Sequence, residues 1–208
     1  MYRRYILPRV IDWACSQPKG ELQREKVIPM ARGQVLEVGI GSGMNLAFYD
    51  PSMVERLTGI DPMDRLWARK KADLSKLGFD VIYIKDSAER IPFDNDSFHT
   101  VVSTSTLCSI KNIGEALREM HRVLKPEGRL LFSEHGRAPD RSIAQRQNLL
   151  NPVWKRIGGG CNLNRDIPGL LREAGFSLDG MTEGYQEGWR PVSYHFWGWA
   201  VKSERPGS

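Results

Sequence analysis

A glycine-rich stretch after a short apolar run constrains the fold more than any other feature of the chain. Residues 35–38 read Val-Leu-Glu-Val and lead directly into glycines at positions 39, 41 and 43. Because glycine has no Cβ, the main chain there can turn tightly and approach a ligand closely. An apolar strand that ends in such a turn is typical of cofactor sites in parallel sheets. The sequence therefore predicts a cofactor loop over residues 39–43.

Short apolar runs alternate with helical patterns through the middle of the chain. The predicted strands cover residues 34–38, 56–60, 80–84, 99–103 and 129–133. The predicted helices cover residues 5–14, 21–31, 63–77 and 114–124, and the last two have apolar residues at i, i+3 and i+4. Strands that alternate with helices form βαβ units, and hence an α/β fold with a mostly parallel, doubly wound sheet. Such sheets bind ligands at the carboxyl ends of their strands.

The composition of the chain is that of a globular protein. Its 208 residues suit one large or two small domains, and 40% of them are hydrophobic. No apolar run approaches the roughly 20 residues of a membrane-spanning helix, and no secretion signal is recognised, so we expect a cytoplasmic protein. The net charge of +5 is small for this length and spread along the chain. No nucleic acid partner is therefore expected.

The cysteines and histidines show no spacing that is typical of a metal site. The cysteines at positions 15, 108 and 161 form no Cys-x-x-Cys pair. The histidines at positions 99, 121, 135 and 195 form no His-Glu-x-x-His pattern. We therefore expect reduced thiols and no bound metal.

The residues around the glycine turn distinguish between two kinds of cofactor. A dinucleotide site would place its third glycine at position 44, which is Met44. Glu37 would put a carboxylate beside the phosphates of a dinucleotide, whereas it would hold a cationic amino-acid group favourably. Asp61 follows the next predicted strand, where an acid can accept hydrogen bonds from both ribose hydroxyls. The turn therefore favours a ligand that joins a nucleoside to a positively charged amino acid.

Several motifs resemble, in their order, those of the class I S-adenosylmethionine (SAM)-dependent methyltransferases. Each acidic residue alone would also fit a turn or a helix cap, but together in this spacing they indicate a binding site. The motifs are Glu37-Val38-Gly39-Ile40-Gly41-Ser42-Gly43, Gly59-Ile60-Asp61-Pro62, Asp86-Ser87-Ala88-Glu89 with Ile91-Pro92-Phe93, and the stretches 98–102 and 117–128. The likeness covers about residues 34–135 and is to the quinone-biosynthesis and small-molecule branch.

The resemblance implies a Rossmann-like fold with SAM as its cofactor. The sheet would have seven mostly parallel strands with helices on both faces, and an N-terminal helical lid. The residues that it implies for contacts with SAM are Glu37, Gly39, Gly41, Gly43, Asp61, Pro62, Met63, Asp86, Ser87, Ala88 and Thr104. Glu37 and the glycines would contact the methionine part and Asp61 the ribose, whereas residues 86–88 would surround the adenine.

The residues after the fourth predicted strand bear on the methyl acceptor. Residues 103–107 read Ser-Thr-Ser-Thr-Leu and lack the Asn/Asp-Pro-Pro-aromatic signature of enzymes that methylate base amines or glutamine amides. A longer resemblance, through residues 107–110, 132–135, 151–154, 159–165 and 198–202, is to the alkyl-thiol methyltransferases of animal endoplasmic reticulum and lipid droplets. It implies a small, apolar or amphipathic acceptor and S-methylation of a thiol. N-methylation of a lipid headgroup, O- or C-methylation of a phenol or quinone, and SAM binding without catalysis stay open as alternatives.

Two residues at the end of the fifth predicted strand are the candidate catalytic groups. Glu134 and His135 would lie on the functional rim of the sheet, where His135 could relay a proton near neutral pH. A thiol, with a free pKa of about 8.5, needs little help from a base. The pair would also fit a cap of the following segment or a hydrogen bond to the cofactor carboxylate. Cys161 could touch the acceptor or be a small buried residue, and Cys108 is assigned no chemistry.

We predict a single methyltransferase domain over residues 1–208, in three parts. Residues 1–32 would form the helical lid, residues 33–136 the SAM-binding core, and residues 137–208 the acceptor-side helices and C-terminal strands. Arg3, Arg4 and Arg9 in the N-terminal arm leave a peripheral membrane contact open beside the lid interpretation. The aromatic tail could wall an apolar pocket or cover the sheet as an edge hairpin. We expect a monomer or weak homodimer that acts on a small-molecule acceptor.

Overall fold

One mixed sheet of seven strands lies at the centre of the protein. The computed structural model describes residues 6–15, 18–70 and 72–203, with the backbone alone for residues 11, 13–15 and 18–21. The strands are β1 (Gly33–Val38), β2 (Val54–Ile60), β3 (Asp80–Ile84), β4 (Phe98–Thr104), β5 (Leu124–His135), β6 (Phe176–Tyr185) and β7 (Tyr194–Lys202). Arg3 and Arg4 of the N-terminal arm lie outside the described residues.

The strand order is β3-β2-β1-β4-β5-β7-β6. The first five strands in chain order pair in parallel, whereas β7 is antiparallel to both β5 and β6. Because β1 pairs with β2 on one side and β4 on the other, the strand order reverses at β1. The carboxyl ends of β1 and β4 therefore frame the crevice at which doubly wound sheets bind ligands. The predicted mostly parallel sheet of seven strands is confirmed.

The central strands are buried on both faces of the sheet. In β1, Leu36 belongs to one apolar core and its neighbour Val35 to the other. In β4, Val101 and Val102 divide between the two cores in the same way. Such strands need apolar residues at nearly every position, and each buried aliphatic side chain contributes about 1.5–3 kcal/mol. The loops at the strand ends are therefore carried on a firmly packed base.

Helices cover both faces of the sheet. They are α1 (Leu7–Cys15), α2 (Pro18–Val27), α3 (Asp64–Trp67), α4 (Ile113–Val123), α5 (Arg141–Ile157), α6 (Ile167–Glu173) and α7 (Arg190–Ser193). Helix α4, which matches the predicted helix over residues 114–124, packs Leu117 and Met120 into the first core. Val27 at the end of α2 and Ile28 in the following 3₁₀ turn pack into the second core. This arrangement confirms the predicted layering.

The predicted helix over residues 63–77 is wrong. Apart from residue 71, which the structure does not describe, this range forms the short α3 and a separate 3₁₀ turn over Leu74–Lys76. The Asp73 side chain accepts a hydrogen bond of 3.2 Å from the Ser75 amide, and this contact starts the turn in place of a continued helix. Only Leu66 is buried in α3, so apolar burial adds little to stabilise a longer helix.

The aromatic tail forms an antiparallel hairpin at the edge of the sheet. Tyr194 and Phe196 of β7 are buried in the first core, whereas Trp197 and Trp199 pack against the second. Trp189, before α7, is 54% exposed. Of the two interpretations of this segment, the structure shows the hairpin that covers the sheet.

Candidate active site

A cavity of about 390 Å³ lies at the carboxyl ends of β1, β2 and β4. This size is typical of small-molecule sites. The predicted cofactor residues that line it are Glu37, Gly39, Gly41, Asp61, Pro62, Met63, Ser87, Ala88 and Thr104. The predicted site residues that do not line it are Gly43, Asp86, Glu134 and His135. The strand ends therefore bring together nine residues from four separate segments of the chain.

The glycine turn after β1 packs against the loop after β4 too closely for a side chain. Gly39 has a φ of +78°, which disfavours any residue with a Cβ. A Cβ at this position would lie 2.2 Å from Oγ1 of Thr106. The Gly39 amide also donates a hydrogen bond of 2.8 Å to the carbonyl of Ile60. The backbone of β1 and β2 thus holds the turn at the floor of the cavity.

Glu37 places a buried carboxyl group in the cavity wall. Its side chain accepts hydrogen bonds of 2.8 Å from Nδ2 of Asn45 and from the hydroxyl of Tyr49. Burial raises the pKa of Glu37 to about 7, against the lowering effect of these two hydrogen bonds. A cation in the cavity would favour the ionised form. Glu37 is therefore suited to hold a positively charged group.

Asp61 fixes the turn between β2 and α3 and faces the cavity. Its Oδ2 accepts a hydrogen bond of 3.1 Å from the Gly41 amide, and its Oδ1 one of 2.7 Å from the Met63 amide. Burial raises the pKa of Asp61, although both amides lower it. Each carboxylate oxygen can accept a further hydrogen bond, so two adjacent hydroxyls could still bind.

The segment after β3 forms one wall of the same cavity. Ser87, Ala88 and Glu89 line it, and Ala88 is buried. Asp86 does not line the cavity, and its Oδ1 accepts a hydrogen bond of 2.8 Å from the Ser87 amide. The carboxylate of Asp86 therefore shapes the turn that presents Ser87 and Ala88.

The N-terminal helices contribute residues that the sequence analysis missed. Arg24 of α2 is 5% exposed, lines the cavity, and donates a hydrogen bond of 2.9 Å to Oδ1 of Asn45. Asp12 of α1 also lines the cavity and accepts a hydrogen bond of 2.6 Å from Ser42. A second bond of Asp12, of 3.0 Å to Arg69, ties α1 to the segment after α3. No local sequence pattern pointed to either residue, because these helices reach the cavity only by packing against the sheet.

Two loops meet on the β4 side of the cavity. Thr106, Ser109, Ile110 and Lys111 from the loop after β4 line it, together with Gly159 from the loop after α5. Asn162 donates a hydrogen bond of 2.8 Å from its Nδ2 to the carbonyl of Cys108. The guanidinium of Arg165 donates to the carbonyls of Leu107 and Ile110. These contacts join the loops of residues 105–112 and 158–165, which we call the acceptor loops.

Glu134 is enclosed beneath the acceptor loops. Its side chain is fully buried, and its Oε1 accepts hydrogen bonds of 2.8 Å from the Thr106 amide and 3.0 Å from the Leu107 amide. The hydroxyl of Ser103 donates a third bond of 3.0 Å to the same oxygen. Burial raises the pKa of Glu134 to about 7. The carboxyl group therefore organises the turn after β4 from below.

His135 belongs to a cluster with two cysteines. The ligand-type atoms of Cys108, His135 and Cys161 all lie within 4.8 Å of one another. Nε2 of His135 is 3.1 Å from Sγ of Cys161, and the indole N–H of Trp154 donates to the same sulfur at 3.3 Å. We call these three residues the thiol cluster. No motif in the sequence indicates this cluster, because its members come from three separate segments.

The residues of the thiol cluster differ in the direction of their pKa shifts. A hydrogen bond from the Cys161 thiol holds the pKa of Cys108 well below its ordinary value. The same contact raises the pKa of Cys161. Burial lowers the pKa of His135, but the charge of Cys108 and its hydrogen bond outweigh burial and raise it overall. Of the two thiols, the contacts of the cluster therefore favour ionisation at Cys108.

Comparison with known proteins identifies the family. A family model described as a methyltransferase domain matches residues 36–132. The thiol S-methyltransferase TMT1B of Homo sapiens is 35% identical over 179 residues, which cover 83% of this chain and 72% of the human protein. The human thiol S-methyltransferase TMT1A is 34% identical over 179 residues, with coverage of 84% and 72%. The chain belongs to the class I SAM-dependent methyltransferases.

Solved structures support the fold of this methyltransferase. A SAM-dependent methyltransferase from Mesorhizobium loti superposes with a TM-score of 0.67, at 15% identity, over 92% of this chain and all of that one. The buried carboxyl groups of Glu37 and Asp61 and the glycine turn fit SAM, which has an amino group, a ribose and a sulfonium centre. No helix among the described residues is both long and apolar enough to cross a membrane.

Proposed function

We propose that this methyltransferase transfers the SAM methyl group to the sulfur of a small apolar or amphipathic thiol. The observation that carries the proposal is the chemistry of residues 104–111 and Gly159 on the β4 side of the cavity. The residues that line it there supply hydroxyl groups, aliphatic surface and the ammonium of Lys111, and neither a carboxylate nor an imidazole. A thiol ionises without a strong base, whereas an ammonium or an alcohol does not. The names of the human relatives agree with this acceptor.

In this proposal the cofactor is oriented by the β1 and β2 side of the cavity. Glu37 binds the ammonium of the methionine part, and Asp61 accepts hydrogen bonds from the ribose hydroxyls. Ser87 and Ala88 contact the adenine, and the glycine turn allows the methionine part to lie against the backbone. Arg24, which lines the same cavity, is suited to the carboxylate of that part. When bound, SAM supplies an electrophilic methyl group on a sulfonium.

The main contribution of the protein to the reaction is to position the acceptor sulfur against the methyl group of SAM. The acceptor sulfur must lie roughly 3–3.5 Å from the methyl carbon and in line with the bond that breaks. A sulfur–carbon bond forms as the carbon–sulfonium bond breaks, which leaves a thioether and neutral S-adenosylhomocysteine. The thiol proton leaves before attack, and the positive sulfonium nearby favours the thiolate. Thr106 and Ser109 border the space in which the acceptor lies.

Glu134 and His135 act, in this proposal, by position and not by touching the acceptor. Glu134 holds the Thr106 and Leu107 amides, and His135 contacts Cys161. Their assignment as general bases stays a prediction. A proton-relay role would make Glu134→Gln lower the turnover of phenols far more than that of thiols, because a phenol depends more on a base.

An acceptor panel tests the proposal. Purified protein is incubated with labelled SAM and with carbon-matched alkyl thiols, alcohols, phenols, quinols and amino-lipids. We expect label on the thiols, with the rate rising with chain length until the cavity is filled. Label on phenols, quinols or amino-lipids alone would overturn the thiol assignment, and tight SAM binding with no labelled product would favour a binding protein without catalysis.

We propose the cytoplasm as the place of action. Cys108 and Cys161 are free thiols although they lie close together. Such pairs persist in reducing compartments. Cell fractionation with thiol-specific labelling tests this location, and recovery of the protein with a Cys108–Cys161 disulfide from an oxidising compartment would contradict it.

A further inference from the structure

The thiol cluster has the composition of a metal site, and none of its three residues lines the cavity. Cys108 is 2% exposed, and its sulfur lies 3.4 Å from the hydroxyl of Ser109, which lines the cavity. Cys108 therefore adjoins the cavity at Ser109, on the acceptor loops. Two thiols and one imidazole with ligand atoms within 4.8 Å of one another can converge on a single ion.

The surroundings of the cluster hold these side chains toward one another. Among the described residues, the buried Nδ1 of His135 has no hydrogen-bond partner, and its Nε2 lies 3.1 Å from Sγ of Cys161. Trp154 donates its N–H to the sulfur of Cys161. Hydrogen bonds of this kind from outer residues stabilise thiolate ligands. Asn162 and Arg165 fix the loops that carry the two cysteines.

The donor atoms of the cluster indicate which ion would fit. Two thiolates would balance the charge of a divalent ion, and a neutral imidazole would add a third ligand atom without further charge. Thiolate and imidazole ligands together suit zinc, whereas magnesium and calcium prefer oxygen.

We propose that Cys108, His135 and Cys161 bind one Zn²⁺ ion and leave its fourth coordination position for the acceptor thiol. Catalytic zinc sites hold three protein ligands in this way and keep one position open. The second half of this inference rests on the proposed thiol methylation. The acceptor thiol loses its proton to solvent on binding zinc, and its sulfur then attacks the SAM methyl group. The neutral thioether is a weaker ligand and leaves, while zinc stays divalent throughout.

Cobalt provides a direct probe of the metal site. The protein is freed of metal with a chelator under reducing, oxygen-free conditions and titrated with Co²⁺, which gives sulfur-to-cobalt charge-transfer bands and intense visible bands when tetrahedral. We expect one equivalent of Co²⁺ in the wild type, displaced by one equivalent of Zn²⁺. Addition of an alkyl thiol should change the visible bands, whereas the matching alcohol should not.

Three variants and one control locate the ion. Cys161→Ser and His135→Gln each remove a ligand and should weaken metal binding more than about 100-fold, because loss of an outer partner alone weakens it roughly 10–100-fold. Trp154→Phe removes such an outer partner and should fall in that lower range. Cys15→Ser, which changes the cysteine outside the cluster, should bind metal as the wild type does. SAM affinity, which should be unchanged in all four, reports that each variant is folded.

The possible failures are distinguishable. Absence of Co²⁺ binding, or equal binding by Cys161→Ser, would overturn the metal site. Equal thiol turnover by metal-free and zinc-loaded protein would overturn the role of the metal and leave thiol methylation standing. Metal binding with no thiol turnover would overturn the proposed function and the acceptor's place on the ion, and leave the metal site standing.

Discussion

The cofactor side and the acceptor side of the cavity are held by different kinds of contact. On the cofactor side, Gly39 and Asp61 directly follow buried strands, and backbone amides fix each of them. On the acceptor side, Thr106 and Ser109 lie in a loop whose position depends on a second loop. The cofactor side is therefore fixed strand by strand, whereas the acceptor side is fixed by contacts between loops distant in sequence.

This difference suits the two tasks of a methyltransferase. SAM is the same in every member of the family, and a rigid sheet edge can hold it. The acceptor varies, and loops can vary without disturbing the buried strands. It follows that changes on one side should alter binding or turnover there and leave the other side nearly intact.

Glu37→Gln should have the largest effect. It should change both the pH dependence of the free energy of unfolding and the affinity for SAM. The folded-state pKa of about 7 lies above the unfolded value of 4.5, so the folded protein holds this proton longer than the unfolded chain does. Through Glu37 alone, the free energy of unfolding of the SAM-free wild type therefore falls as the pH rises from 4.5 to 7, by roughly 3 kcal/mol at most. Glutamine cannot ionise, so this contribution should be absent in the variant, whereas the decline due to Glu134, whose pKa is also about 7, should remain. Denaturant unfolding at pH 5 and pH 8 measures it.

The same variant should bind SAM more weakly, because the charge opposite the ammonium is lost. Glu55→Gln, an exposed position on β2, is the matched control and should change neither quantity. A decline in stability with pH that is as large in Glu37→Gln as in the wild type would mean that Glu37 does not contribute to it.

Asp61→Ala should have the next largest effect. Loss of charge-assisted hydrogen bonds to the ribose should weaken SAM binding by about 2 kcal/mol, or roughly 30-fold. Isothermal titration calorimetry measures this change. Asp64→Ala, three residues along the same rim and exposed, should bind SAM normally. Unchanged affinity in Asp61→Ala would place the nucleoside elsewhere.

The cofactor side of the cavity is easier to predict from the sequence than the acceptor side, because its residues directly follow strands. The glycine turn and Asp61 could be found because each lies next to an apolar strand in the chain, and the order of the strands places them together. The predicted helix over residues 63–77 failed because the Asp73 side chain starts a separate turn. A local side-chain contact of this kind competes with a helix and leaves the apolar periodicity unchanged.

The acceptor side could not be predicted in the same way. Cys108, His135 and Cys161 follow different elements, and only the packing of the acceptor loops brings them together. Their spacing in the chain matches no metal motif, so the sequence predicted no metal. Arg24 was missed for the same reason, because its helix reaches the cavity only when it packs on the sheet.

Asn162→Ala should disturb the acceptor side alone. Its side chain donates to the carbonyls of Cys108 and Gly160, and removing both bonds should loosen the contact between the loops. We expect thiol turnover to fall about tenfold, which corresponds to about 1.4 kcal/mol, with SAM affinity within about twofold of the wild type. Asn148→Ala, an exposed position on α5, is the control. A large loss of SAM affinity in Asn162→Ala would show that the two sides are coupled.

The smallest expected effect concerns α1, which contacts the glycine turn through Asp12. The hydrogen bond to Ser42 and the partly exposed ion pair with Arg69 are each worth about 1 kcal/mol or less. Asp12→Ala should therefore speed SAM dissociation about fivefold, as measured by stopped-flow fluorescence, with little change in thiol turnover at saturating SAM. Arg9→Ala, an exposed change in the same helix, should release SAM at the wild-type rate. Because salt screens the ion pair, the difference between wild type and Asp12→Ala should shrink at high ionic strength. A difference that does not depend on salt would assign the effect to the Ser42 bond, and no difference would mean that α1 does not restrain the cofactor.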